Sequence, residues 1–189
     1  DGTINFSGLY DATVGASNAV LSAAVAAGTD IPITFAPEGV TIGAYALMAL
    51  AKETQYEINT VISDVEKITG QTQVSGGIHH GVILKTLASD ATSTNYTSVD
   101  NAVATSAGGF AQLHVLTNSI AGGNLIVKVQ HSVDNSTWVD LATFTTVAAG
   151  PGVSSEGLSF SGTVNRYLRA ITTRTGTGST VAVVSAARN

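Results

Sequence analysis

The chain of 189 residues contains no cysteine, which excludes a disulfide framework, a thiolate metal site and a cysteine nucleophile together. Charge is scarce as well: Asp, Glu, Lys and Arg make up 11% of the residues, against roughly 25% in ordinary globular domains. Few ionisable groups are left for acid–base chemistry, and little surface charge is left to hold copies apart. Long apolar runs are absent too. Stretches such as Ala44 to Ala51 are too short to cross a bilayer as a helix, and no basic region precedes an apolar core at the start, so neither a membrane segment nor a signal peptide is expected. The sequence opens at Asp1 directly into a strand-like pattern, and an N-terminal portion is therefore expected to be missing.

Glycine, alanine, serine, threonine and valine fill the space left by charge, and the mean hydropathy is +0.29. A near-neutral, small-residue surface of this kind is expected to be covered by other subunits. Length allows one large or two small domains, each able to bury a core.

Alternation marks most of the chain as strand. Thr3-Ile4-Asn5-Phe6-Ser7 alternates polar and apolar, the period of a half-buried strand. Residues 17–27 form the one helical pattern, with Ser17 or Asn18 to cap its start and Gly28 to end it, and Val20, Leu21, Ala24 and Val25 make a stripe able to pack on a sheet. Strands are then expected over 31–36, 43–51, 55–65, 66–74 and 78–87. The polar stretch Ala88 to Asn95 is read as a linker, which divides the chain into domains 1–90 and 91–189. Beyond it the pattern is all strand and turn, over 109–116, 124–131, 137–147, 158–162, 166–173 and 180–187. The fold class expected is mostly β: an N-terminal β-sandwich or open barrel with one packing helix, then a jelly-roll-like C-terminal β-sandwich.

Charge divides unevenly. Residues 1–92 carry nine carboxylates against three lysines, net −6, and residues 93–189 carry four against five cations, net +1. An acidic first half repels nucleic acid, which a conduit for a sliding polyanion can use.

No constellation with catalytic or metal-binding spacing stands out. His79 and His80 are adjacent on a strand and point to opposite faces, so they cannot jointly hold one ion. His114 and His131 stand singly on strands and read as structural. There is no Gly-x-Ser-x-Gly elbow, and the pairs Gly76-Gly77, Gly108-Gly109 and Gly122-Gly123 lack the Gly-Lys-Ser/Thr ending of a phosphate loop and read as turns. Asp134 falls in a tight turn and Asp140 on an exposed face, so solvation accounts for both. The expectation is a protein that is not an enzyme and takes no metal or cofactor.

Three features carry a resemblance in residues 1–90: the opening Asp1-Gly2-Thr3-Ile4-Asn5-Phe6-Ser7-Gly8-Leu9-Tyr10-Asp11, the helix 17–27, and the step Val65-Glu66-Lys67-Ile68-Thr69-Gly70 into a strand ending at Gly76-Gly77. In these the chain resembles the major tail tube proteins of long-tailed, non-contractile phages. The resemblance implies a β domain whose six copies form a ring, rings that stack into a tube, partners that are other copies and other tail proteins, and DNA passing without specific binding. It also implies a virion tail location after assembly in the host cytoplasm. Family members have further N-terminal strands and a long hairpin loop, which this sequence lacks.

The segments Val127 to Trp138 and Gly162 to Arg169 resemble domains appended to such tail proteins and also the discoidin-like carbohydrate-binding sandwiches. Read from the residues, Trp138 and Tyr167 are core aromatics, with Arg166 and Arg169 facing solvent or a neighbour. The alternative is a glycan contact through Trp138, Tyr167 and Arg169, in a capsid decoration protein or adhesin module.

Overall fold

The computed structural model describes residues 2–9, 26, 28–59 and 66–189. The helix expected at 17–27, apart from Ala26, and the end of the strand expected at 55–65 lie outside the described residues. Thirteen strands occupy most of the described chain: β1 (Thr3–Leu9), β2 (Ile31–Phe35), β3 (Tyr45–Asn59), β4 (Lys67–Asp90), β5 (Thr94–Asn95), β6 (Val99–Asp100), β7 (Gly109–Asn118), β8 (Asn124–Ser132), β9 (Val139–Thr143), β10 (Val147–Ala148), β11 (Ser154–Phe160), β12 (Tyr167–Arg174) and β13 (Thr180–Arg188). The fold class is mostly β, built of curled antiparallel sheets, as expected.

Two compact units form, one from Asp1–Ile33 and Ala49–Ile78, the other from Thr34–Met48 and His79–Asn189. The expected division at residue 90 falls elsewhere for a physical reason. The end of β4 is not a linker: Gly81 to Asp90 pair with β13, and Thr94 and Asn95 pair with β12. The pair Gly76-Gly77 is likewise no turn between two strands. Both residues take positive φ, 93° and 97°, a backbone conformation glycine adopts without strain, so one 24-residue strand continues through them.

In the first unit β1 pairs antiparallel with the first part of β4, from Thr3 opposite Gln73 to Leu9 opposite Lys67. Its apolar cluster joins Ala49, Ala51 and Val74 with Ile4 and Ile33. Phe6 lies over Gly70, where an added Cβ would come within 2.2 Å of the ring. Both oxygens of Glu53 are buried here without a hydrogen-bond partner among the described residues, and burial raises the pKa of that carboxyl.

The second unit is a sandwich of two sheets. One places β13 between β7 and the end of β4, with β11 at its edge; the other runs β10-β8-β12-β5, with β9 on β8 and β6 on β12. Strand β13, sequence Thr-Val-Ala-Val-Val-Ser-Ala-Ala-Arg, is a continuous run of small and apolar residues buried on both faces, as an interior strand requires. The outer strands alternate instead: Leu125, Val127 and Val129 of β8 and Leu168 and Ala170 of β12 are fully buried and meet Leu84, Leu113, Val115, Val184 and Phe144 in one core. Burying each side chain of that size contributes roughly 1.5–3 kcal/mol.

Candidate functional site

The outward residues of β8, β9 and β12 form a polar face in the second unit. The registers Arg169 opposite Gln130 and Gln130 opposite Asp140 set these three side chains in one row across three strands. Arg169 directs both Nε and Nη2 to the single oxygen Gln130 Oε1, at 2.9 and 2.7 Å. Gln130 Nε2 in turn donates to Asp140 Oδ1 at 2.7 Å, and Lys128 Nζ pairs with Asp140 Oδ2 at 2.6 Å. These donors hold the Asp140 carboxyl below the usual carboxylate range, Lys128 contributing most.

The indole of Trp138 completes the row. The turn before it is tied by Asp134, whose carboxylate accepts the backbone N–H groups of Ser136 and Thr137 and the hydroxyl of Ser132. That accumulation of donors holds the Asp134 carboxyl well below its ordinary value, and Asn135 in the same turn takes a left-handed φ of 60°. Trp138 leaves this turn with its ring 4.1 Å from the Arg169 guanidinium carbon. Just before β12, the Arg166 guanidinium lies 4.9 Å from the Tyr167 ring and forks onto Asp100 with bonds of 2.7 and 2.6 Å, which lowers the Asp100 pKa to about 2.

Trp138 and Tyr167 are therefore not core aromatics. Both are half-buried, each under an arginine on the outer face, and among the described residues the buried aromatics are Phe144 and Phe110. Position explains the difference: Tyr167 has the parity of Arg169 on β12, opposite to that of the buried Leu168, while Trp138 precedes β9 in the turn. The structure thus brings Trp138 and Arg169 together and sets Tyr167 beside them with Arg166. Gln130, Lys128, Asp100 and Asp140 belong to the same face. The signal that could have found them is the alternation of β8, where Lys128 and Gln130 interleave with buried valines.

The histidines go to separate partners. His79 stacks on Phe110 at 4.5 Å between ring centroids, while His80 Nδ1 bonds the Tyr45 hydroxyl. His131 Nδ1 accepts the Asn165 N–H at 3.1 Å. His114 lies in a polar cluster with Thr34, Gln112 and Ser185. The Thr34 hydroxyl donates to Gln112 Oε1 at 2.6 Å, so at 2.9 Å the His114 Nε2 is the donor to Thr34 Oγ1. With its proton placed there the ring cannot act as base toward that hydroxyl, and the cluster reads as a satisfied buried network.

Beside this cluster the surface is apolar and open. Leu116 is 44% and Val153 74% exposed, and with Val40 and Val183 they line a shallow depression of about 750 Å³. Strand β11 ends its sheet here, paired on one side to β7. Compared with known protein families, curated proteins and solved structures, the chain matches none.

Proposed function

We propose that the chain is a repeating structural subunit that builds a homomeric tube of the phage-tail kind, six copies to a ring and rings stacked into a conduit for DNA, located in the virion tail after assembly in the host cytoplasm. The observation that carries this reading is the terminal strand β11, which has one edge without a strand partner among the described residues and lies beside exposed Leu116 and Val153 on a surface poor in charge. Unpaired N–H and C=O groups along such an edge are templates for a strand from another chain, a hazard in a monomer and a bonding surface in an assembly.

Charge supports it further. The first unit holds seven carboxylates against two lysines and the second six against six cations, so the whole net charge of −5 resides in the first unit. An acidic unit at the lumen would let a polyanion slide without holding it. Other tail proteins would be the partners at the tube ends.

Sedimentation and negative-stain micrographs of the chain at rising concentration test the proposal. Rings or hollow tubes are expected; a protein that stays monomeric up to its solubility limit overturns it. The Trp138 and Arg169 face favours a second reading, a capsid decoration or glycan-binding adhesin module, in which the sandwich binds and no tube forms.

A further inference from the structure

Lys128 and Arg169 lie on the outer face of β8 and β12 and Arg166 stands just before β12 over Tyr167, and two of these three cations have a carboxylate. Lys128 is paired with Asp140 and Arg166 with Asp100. Arg169 has none among the described residues: its hydrogen bonds go to a neutral amide oxygen and its π contact to a neutral indole. Arg169 is half-buried, and burial lowers its pKa, the mark of a cation whose lost hydration is not fully replaced. A cation left in that condition is costly, and such costs persist where a ligand supplies the missing charge.

Geometry says which part of the group is free. A guanidinium presents its donors along fixed edges. Gln130 takes the Nε–Nη2 edge, and the Trp138 ring covers one face. The Nη1–Nη2 edge makes no hydrogen bond among the described residues, and its two parallel N–H vectors match the two oxygens of a carboxylate. Trp138 and Gln130 fix the plane in advance, which removes part of the ordering cost of binding. On the same face Asp140, in this row, supplies acceptor oxygens and Lys128, in the next, an ammonium, the mixture of acceptor and donor that a polyhydroxylated ring uses.

We propose that Arg169, held between Trp138 and Gln130, is a binding site for the carboxylate of an acidic saccharide. Its free edge takes the carboxylate bidentately, and Asp140 and Lys128 beside it take ring hydroxyls. The site rests on the second reading above, a glycan-binding face, and names its ligand class; it does not depend on the assembly reading, because every residue named belongs to one sandwich.

Trp138 is the only tryptophan of the chain, so its emission reports directly on this guanidinium. The experiment titrates the full chain with a galacturonate trisaccharide, with the neutral galactose trisaccharide and with inorganic sulfate, following fluorescence and calorimetric heat. A saturable change with the galacturonate alone is expected. Arg169→Lys, which keeps the charge and loses the fork, should weaken it about tenfold, and Arg169→Gln should remove it, with the melting temperature of each variant measured to show that the fold persists. The proposal is overturned if the acidic trisaccharide gives neither signal nor heat, if the neutral one or sulfate binds as tightly, or if folded Arg169→Gln binds unchanged.

Discussion

The ammonium of Lys85 lies 2.8 Å from the Asp90 carboxylate, and the lysine has no exposed surface at all. Three backbone carbonyls complete its shell, those of Ala182 at 2.7 Å, Thr86 at 3.1 Å and Ala88 at 3.2 Å, and the Tyr96 ring lies 5.3 Å away. The pairing of β13 with β4 is interrupted at this point, jumping from Ala182 opposite Ala88 to Val184 opposite Lys85. A bulge frees carbonyls that a regular ladder would have used, and the lysine satisfies them.

Removing one member of that pair leaves the other charge or the carbonyls buried without a partner. Lys85→Met is expected to destabilise the sandwich by about 3–5 kcal/mol, and Asp90→Asn by less, because the three carbonyls still hold the ammonium. Denaturant melts of the two variants against the parent check the order. An Asp90→Asn loss larger than that of Lys85→Met would mean that the ion pair, and not the carbonyl shell, fixes the bulge.

A second prediction concerns acid. His79, His114 and His131 all have pKa values below the ordinary histidine value, and burial is the largest cause in each. Between the folded and unfolded values the unfolded chain binds more protons, so stability rises with pH there. Their contribution is complete above about pH 6.5, the unfolded value, and is lost progressively as pH falls from it toward the lowered folded values. Melting temperature should therefore drop between pH 7.5 and 5.5, roughly the span of that titration. His114→Gln, whose amide nitrogen can keep a donor toward Thr34, should drop less over the same interval; an equal drop would clear His114 of the effect.

Glu53 gives the opposite sign in the first unit. Its two oxygens are buried without partners among the described residues, and burial raises its pKa above the ordinary 4.5, so the ionised form opposes folding above that value and the penalty fades as pH falls through the carboxylate range. Glu53→Met, which removes an unsatisfied buried group, is expected to stabilise by about 1–3 kcal/mol near neutral pH. Slower amide exchange at Ala51 and Thr72 is the measurement, and unchanged exchange would show that the carboxyl gains solvent at little cost.

Much of the second unit was legible in the sequence because its strands alternate cleanly: the strand expected over 124–131 is β8 and that over 166–173 is β12, each within a residue. What failed did so for local reasons. Gly76-Gly77 looked like a turn because a glycine pair usually breaks a strand, yet positive φ at both lets β4 continue. Trp138 looked like a core residue because large aromatics commonly anchor small sandwiches, whereas an arginine opposite Gln130 covers this one. Lys85 and Glu53 could not be read as buried at all, since charge is the usual mark of a surface, and only the bulge in β4, opposite β13, explains why Lys85 is enclosed. Sequence pattern fixes which face a residue takes; it does not show which carbonyls an irregular ladder leaves over.

The terminal strand β11 carries the assembly reading and can be tested without disturbing the core. Ser155 and Ser159 are exposed and share one face of β11, and the buried contacts of the strand are made by Leu158 and Phe160, which pack against the core from the other parity. Lysine at both serine positions places two positive charges along the edge. Charge on an edge strand is a common barrier to pairing with another chain, because the incoming strand must desolvate it. Surface substitutions of this kind usually change stability by no more than about 0.5 kcal/mol, so the doubly substituted chain should melt as the parent does. If β11 is the bonding edge, rings and tubes disappear while the melting temperature stays. Tubes that persist with both lysines in place would move the subunit contact to another edge of the sandwich, such as β9 with its exposed Val139.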